Sequence, residues 1–177
     1  MTLRILEIDG PSPRRSESGA VVLEWWADLA CPDCTDGLDV LDELRDRYGD
    51  RLAIRLRHLP LTMHVWAVAA AQCAVEAEVQ GRGDEYAAAA LRMIDSVDGP
   101  ADYIELAASL GLDADDVAEA LFDGRHARTV HDESEIARAA GLGSVPVFWV
   151  DGLQIDASAT VEGSLELLVA RVDRALA

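Results

Sequence analysis

One stretch constrains this chain more than any other. Ala20 to Trp26 is an unbroken apolar run except at Glu24, and after the short link Ala27-Asp28-Leu29-Ala30 come Cys31-Pro32-Asp33-Cys34. An apolar run of that length reads as a strand buried on both faces, which belongs in the middle of a sheet. Pro32 suits the first turn of a helix, where its missing N–H costs nothing. The spacing therefore places a Cys-x-x-Cys pair at a helix N-terminus, just past the end of a central strand. That combination points to thiol–disulfide exchange.

The rest of the chain supplies a frame for that pair. Leu3 to Ile8 predicts a short first strand, and Gly10 to Gly19 a linker rich in Pro, Ser and Arg. A first helix is predicted from Pro32 to Tyr48, with Leu38, Leu41, Leu44 and Tyr48 on its core-facing stripe and Gly49 as its stop. Leu52 to His58 alternates as a strand does, and Pro60 ends it. From Met63 to Ala140 the texture is helical, punctuated by glycines, with Asp113 as one helix cap. Val147 to Val150 and Leu153 to Asp156 read as a hairpin turning at Asp151-Gly152, followed by a last helix over Val161 to Leu176. The order predicts an α/β fold in one domain over 1–177, its sheet interrupted by a helical insertion over 62–140.

Charge excludes some functions. The chain carries 15 basic residues, all arginine, against 33 acidic ones, a net charge of -18. Phosphate contact needs a basic footprint, so neither nucleic acid nor an anionic membrane surface is an expected partner. No apolar stretch is long enough to span a bilayer. Met1 to Gly19 is too charged and its apolar part too short for an export segment, so the expected compartment is the cytoplasm. In a reducing compartment a cysteine pair is catalytic or metal-binding rather than structural.

Only a thiolate attacks a disulfide. Cys31, at the mouth of the helix, has free N–H groups and the helix dipole to favour a negative sulfur, which makes it the expected nucleophile. Cys34, one turn on, is the expected resolving thiol. A carboxylate beside the sulfur opposes a second negative charge, so Asp33 predicts a higher thiolate pKa and a less oxidising couple than a histidine would give there. A zinc site would need a second ligand pair. Cys73 has no cysteine or histidine at ligand spacing, and His58, His64, His126 and His131 form no paired motif with it, so no metal is expected. Cys73 itself reads as a small buried hydrophobe. Gly143-Ser144-Val145-Pro146 precedes a strand, and its proline either holds a cis bond or merely starts that strand.

Together these pieces resemble the DsbA-like branch of the thioredoxin superfamily. The matching features are Cys31-Pro32-Asp33-Cys34 after a buried strand, Arg57-His58-Leu59-Pro60-Leu61 after the next, the alanine-rich helical block, and Gly143-Ser144-Val145-Pro146-Val147-Phe148 before the hairpin. The resemblance implies a thioredoxin fold with an all-helical insertion between its halves. It implies a cis-proline loop in which Val145 offers backbone groups to a substrate chain and Pro146 keeps the loop open. It also implies a disulfide oxidoreductase with no cofactor beyond a Cys31–Cys34 redox disulfide. The partners implied are a disulfide-containing protein or small thiol, and a reducing partner.

The chain departs from the family pattern in three ways. Many relatives carry a buried acid six residues before the first cysteine, where this chain has Trp25, with Glu24 one residue earlier; Asp28 or Asp33 is then the alternative proton-handling group. The best-known members are exported, and Asp33 stands where a histidine or aromatic residue is common. These departures favour a reductase or isomerase over an oxidase. Two other readings stay open: a small-thiol-dependent isomerase or transferase of the same fold, and a non-catalytic binding module using Trp25, Trp26, Trp66 and Trp149.

Overall fold

A computed structural model describes residues 14–156 and 161–177. The expected strand over Leu3 to Ile8 lies outside the described residues. Four strands, β1 (Val21–Ala27), β2 (Leu52–His58), β3 (Val147–Val150) and β4 (Leu153–Asp156), form a sheet in the order β2-β1-β3-β4. Helix α1 (Asp36–Tyr48) connects β1 to β2. Between β2 and β3 lie α2 (Ala67–Val79), α3 (Gly83–Arg92), α4 (Pro100–Ser109), α5 (Ala114–Asp123) and α6 (Ala127–Ala139), and α7 (Val161–Leu176) closes the chain.

β1 is the centre of the sheet, as its apolar run requires. All seven of its residues are buried. It pairs parallel with β2 and antiparallel with β3. A parallel pair needs a crossover, and α1 is that crossover. Its side chains alternate between the two faces of the sheet. On one face Trp25 lies under α1. A Cβ built on Gly37 would sit 3.2 Å from the Trp25 ring nitrogen, so the bare glycine lets helix and strand approach closely. α7 packs on the same side, where the Tyr48 hydroxyl donates to Asp173 Oδ1 at 2.9 Å and to the Val169 carbonyl at 3.1 Å. On the other face Glu24 and Trp26 meet Arg57 of β2. The Arg57 guanidinium stands 5.3 Å from the Trp26 ring centroid and 3.2 Å from the Glu24 carboxylate.

Arg57 also joins the sheet to the helical block. Its Nη1 donates to Glu133 Oε1 of α6 at 2.8 Å, and Glu133 Oε2 accepts the His58 backbone N–H at 2.7 Å. Burial pushes the Glu133 carboxyl up, and the His58 N–H and Arg57 oppose it. Within the block, the buried Glu76 of α2 accepts from Arg125 at 3.0 Å and pairs with the His126 ring at 2.7 Å, fastening α2 to the α5–α6 turn. Asp113 caps α5 by accepting the Asp116 N–H. At the hairpin, Asp151 and Gly152 both take positive φ, 47° and 78°, as a type I′ turn requires.

Two element boundaries differ from the sequence reading. The predicted helix over 32–48 opens with a separate 3₁₀ turn at Pro32–Cys34, and the α-helix starts only at Asp36. The alanine-rich helix begins at Ala67, so His64 sits in the preceding turn rather than on the helix. That second shift matters for the site.

The Glu133 contact generates a stability prediction. Glu133→Ala leaves the His58 N–H and the Arg57 guanidinium short of an acceptor in a mostly buried position. A loss of about 3 kcal/mol is expected in urea unfolding, since removing one member of a buried charged network strands the others.

Candidate active site

Three loops meet at one end of the sheet. Ala27 pairs with His58 and Trp26 with Val147, so the chain leaving β1, the chain leaving β2 and the chain entering β3 converge there. The first carries the cysteines, the second carries Leu59 to Trp66, and the third carries Val145 and Pro146. The Val145–Pro146 peptide is cis, and both residues are buried. Val145 belongs to the same apolar cluster as Cys31 and Cys34.

Both cysteines are free thiols. Cys31 caps the 3₁₀ turn, with its N–H donating to the Asp28 carbonyl at 3.0 Å and its carbonyl accepting the Cys34 N–H at 3.0 Å. Cys31 retains 5% of its surface in solvent and Cys34 none, so only Cys31 offers an edge to an incoming disulfide. The electrostatics divide the same way. A hydrogen bond from the Cys34 thiol, the strongest influence, brings the Cys31 pKa down to about 6; burial opposes this, and the backbone N–H groups of Asp33 and Cys34 and the charge of His64 assist it. The same thiol–thiol bond, with burial, pushes Cys34 far up.

Asp33 acts on Cys31 through its backbone. Pro32 and Asp33 are exposed, and Asp33 influences Cys31 through its backbone N–H, which favours the thiolate. Its carboxylate is not among the largest influences on the sulfur. Backbone donors gathered by the tight turn outweigh a side chain that stays in water.

The acid beside the pair is Asp28. Its side chain has no solvent exposure. Oδ1 accepts the Ala30 N–H at 2.9 Å, and Oδ2 accepts the Leu61 N–H at 2.8 Å and lies 2.7 Å from His64 Nδ1. The Asp28 backbone N–H donates to Cys34 Sγ at 3.5 Å. Glu24, the other candidate, is held by Arg57 on the face of the sheet toward α6. His64 is the residue that sequence reasoning missed. Its only signal is its place four residues after Pro60, in the segment that leaves β2 toward the site.

Beside His64 is a cavity of about 260 Å³, lined by Ala30, Met63, Val65, Trp66, Ile94 and others. Met63 and Val65 on its rim are largely exposed. Trp25, Trp26 and Trp149 are buried in the core, which removes the tryptophan surface imagined for a pure binding module; Trp66 alone of the four lines the cavity. His58 is buried, and burial lowers its pKa to about 4. Cys73 is buried, with its thiol raised to about 11 by that burial. Among the described residues no group of three or more His, Cys, Asp or Glu is placed to hold a metal ion, and no helix is long and apolar enough to cross a membrane.

The lowered Cys31 pKa carries a pH dependence. A folded value of about 6 against an ordinary 9.0 means that the thiolate stabilises the folded, reduced protein. That stabilisation is full only above the ordinary cysteine value and is lost as pH falls through 6. The expected contribution at pH 7 is about 1 to 2 kcal/mol. Urea unfolding of the reduced protein and of Cys31→Ser, compared at pH 5, 6, 7 and 8, should show a gap that opens with rising pH.

Comparison with known proteins agrees with this architecture. The thioredoxin family model matches residues 16–170. Among curated relatives, the Na(+)/H(+) antiporter NhaA 1 of Mycolicibacterium vanbaalenii is 29% identical over 155 residues, covering 86% of this chain and 25% of that protein. The Na(+)/H(+) antiporter NhaA 3 of Salinispora tropica is 34% identical over 139 residues, covering 77% of this chain and 21% of that protein. The chain thus spans about a quarter or less of the length of these relatives. Among solved structures, alpha-DsbA1 of Wolbachia pipientis superposes with a TM-score of 0.75 at 16% identity, covering 95% of this chain and 96% of that one. Oxidised BdbD of Bacillus subtilis gives 0.77 at 14% identity (92% and 90% covered), and the DsbA disulfide interchange protein of Klebsiella pneumoniae 0.72 at 14% (97% and 95%). With a family model matched over most of its length, this chain belongs to the thioredoxin superfamily, and its fold is that of the DsbA structures.

Proposed function

We propose that this protein is a thiol–disulfide oxidoreductase that uses Cys31 as nucleophile and Cys34 as resolving thiol. The observation that carries the reading is the asymmetry of the pair. One sulfur keeps an exposed edge and a thiol brought down to about 6, while the other is fully buried and held protonated.

The Cys31 thiolate attacks one sulfur of a substrate disulfide. A Cys31–substrate S–S bond forms, the substrate S–S bond breaks, and the leaving sulfur takes up a proton. Cys34 then loses its proton and attacks Cys31 Sγ. The Cys31–Cys34 disulfide forms and the second substrate thiol departs. Two electrons have passed from the pair to the substrate; one proton comes from Cys34 and the other from water, which took up the Cys31 proton on ionisation. A further turnover needs an external thiol or a dithiol reductase to return them. The buried cis-proline loop beside the pair suits a substrate backbone held at Val145, and the apolar rim at Met63 and Val65 suits a protein rather than a small thiol as substrate.

The direction we propose is reductive or isomerising, in the cytoplasm. Cys-x-x-Cys sites range in thiolate pKa from about 3.5 in strong oxidants to about 7 in reducing ones, because a very stable thiolate favours the reduced protein. A value of about 6 stands nearer the reducing end. Cys34 counts against the small-thiol transferase reading, because that chemistry needs one cysteine and this site buries a second against it.

Turnover of an insulin-type disulfide substrate tests the proposal. The wild type should reduce it with a glutathione or dithiol donor, Cys31→Ser should lose more than 99% of the rate as expected for a deleted nucleophile, and Cys34→Ser should accumulate mixed disulfides. Absence of turnover by the wild type with every donor would overturn it.

A further inference from the structure

A thiolate that keeps only 5% of its surface in water must be stabilised by the protein. The dipeptide between the cysteines supplies no cation, since it consists of Pro32 and Asp33. The chain contains no lysine. Arg57, the arginine at the C-terminal end of β2, is engaged by Glu24 and Glu133 on the face toward α6. What stands beside the pair is the imidazole of His64, brought there by the loop that leaves β2.

We infer that the His64 imidazole, fixed by the buried Asp28 carboxylate, is the side-chain cation that supports the Cys31 thiolate, adding from the β2–α2 loop to the thiol and backbone donors of the cysteine turn. This inference rests on the redox reading above and names how that site is tuned.

The geometry supports it at three points. First, Asp28 is anchored on both sides. Its Oδ1 is held by Ala30 in the cysteine loop and its Oδ2 by Leu61 in the other loop, so the carboxylate has no freedom to follow a moving imidazole. Second, the 2.7 Å contact to His64 Nδ1 fixes the ring by one nitrogen. A ring held in place by this contact can present its charge to the sulfur when it carries both protons. The His64 N–H donates to the Leu61 carbonyl at 3.1 Å and the Ala67 N–H to the His64 carbonyl at 3.3 Å, so the turn itself is fixed. Third, the main chain of Asp28 reaches both cysteines, accepting from the Cys31 N–H and donating to Cys34 Sγ. One residue thus registers the imidazole against both sulfurs. Asp28 is the positioning residue and His64 supplies the charge.

Few other ionisable groups face this ring. Asp28 and Cys31 are its neighbours from the β1–α1 loop. From α4 comes Tyr103, which lines the same cavity and whose hydroxyl burial raises to about 12, so it stays neutral at working pH. An Asp28 carboxylate without the imidazole would oppose a thiolate at the pair.

The experiment compares wild type, His64→Gln and His64→Ala, all reduced. Thiolate absorbance is followed from pH 4 to 8.5, a window in which Cys73 and Cys34, both raised, stay protonated. His64→Gln keeps a side-chain donor for Asp28 but removes the charge. Its Cys31 midpoint should rise by about one pH unit, and its equilibrium with glutathione at pH 7 should shift about fivefold toward the disulfide. His64→Ala should shift at least as far. A wild-type midpoint and potential in His64→Gln would overturn the inference and leave His64 a packing residue, even where His64→Ala is perturbed. The redox reading fails separately: a wild type that forms no Cys31–Cys34 disulfide at any glutathione ratio sinks that reading, while the thiolate titration, which needs no turnover, still reports on His64.

Discussion

The Asp28 side chain has no solvent exposure, and its two oxygens meet three donors. A buried carboxylate is costly unless its acceptor sites are filled, and here the donors come from two separate loops. The requirement therefore works as a joint. It holds the cysteine turn against the segment that opens the helical block, and it does so at the end of the sheet where β1 and β2 finish side by side. The cavity rim, the His64 imidazole and the two sulfurs inherit their relative positions from this carboxylate.

A second joint lies on the face of the sheet toward α6. Glu24, Arg57 and Glu133 link β1, β2 and α6 through one guanidinium that also covers Trp26. Arginine suits this place better than lysine because its planar fork serves two carboxylates and a ring face together. On the opposite side the contact between Trp25 and Gly37 is purely steric. The two faces of β1 therefore solve different problems. One admits a helix closely by leaving out a side chain, and the other takes in a helical block by burying charges in satisfied pairs. Trp25, at the place where many relatives bury an acid, belongs to the first solution. The buried acid beside the pair is instead Asp28, three residues further along.

The thiol pair gains its asymmetry from the same economy of space. A tight 3₁₀ turn aims the N–H groups of Asp33 and Cys34 at Cys31 and leaves the Asp33 carboxylate in water. Had the α-helix begun directly at Pro32, as periodicity alone suggested, the donors would have been spread along a longer first turn. The dipeptide is thus less influential through its side chains than through its backbone, and the cation comes from elsewhere.

Much of the fold was legible because its signals are local. The apolar run of β1 had to be central, the stripe Leu38, Leu41, Leu44 and Tyr48 had to face a core, and Asp151-Gly152 had to turn a hairpin; all four stripe residues are buried, and both turn residues take positive φ. The place of the two thiols was legible for the same reason, since a three-residue spacing at a helix start can be read along one dimension. What lay beyond the sequence was every feature that depends on strand register. His64 lies 36 residues from Asp28, in a stretch that reads as the start of an alanine-rich helix, and nothing local marks it as a partner. Nor could the sequence choose among Glu24, Asp28 and Asp33 as the acid at the site, because adjacent residues on a strand and a turn face different ways only after the sheet has formed. The sequence alone determined that a cysteine pair sits at the mouth of a helix beside a central strand. The tertiary structure decided which acid and which imidazole stand next to it, because parallel pairing of β1 with β2 brings two loops to one edge, and burial then admits only groups that satisfy one another.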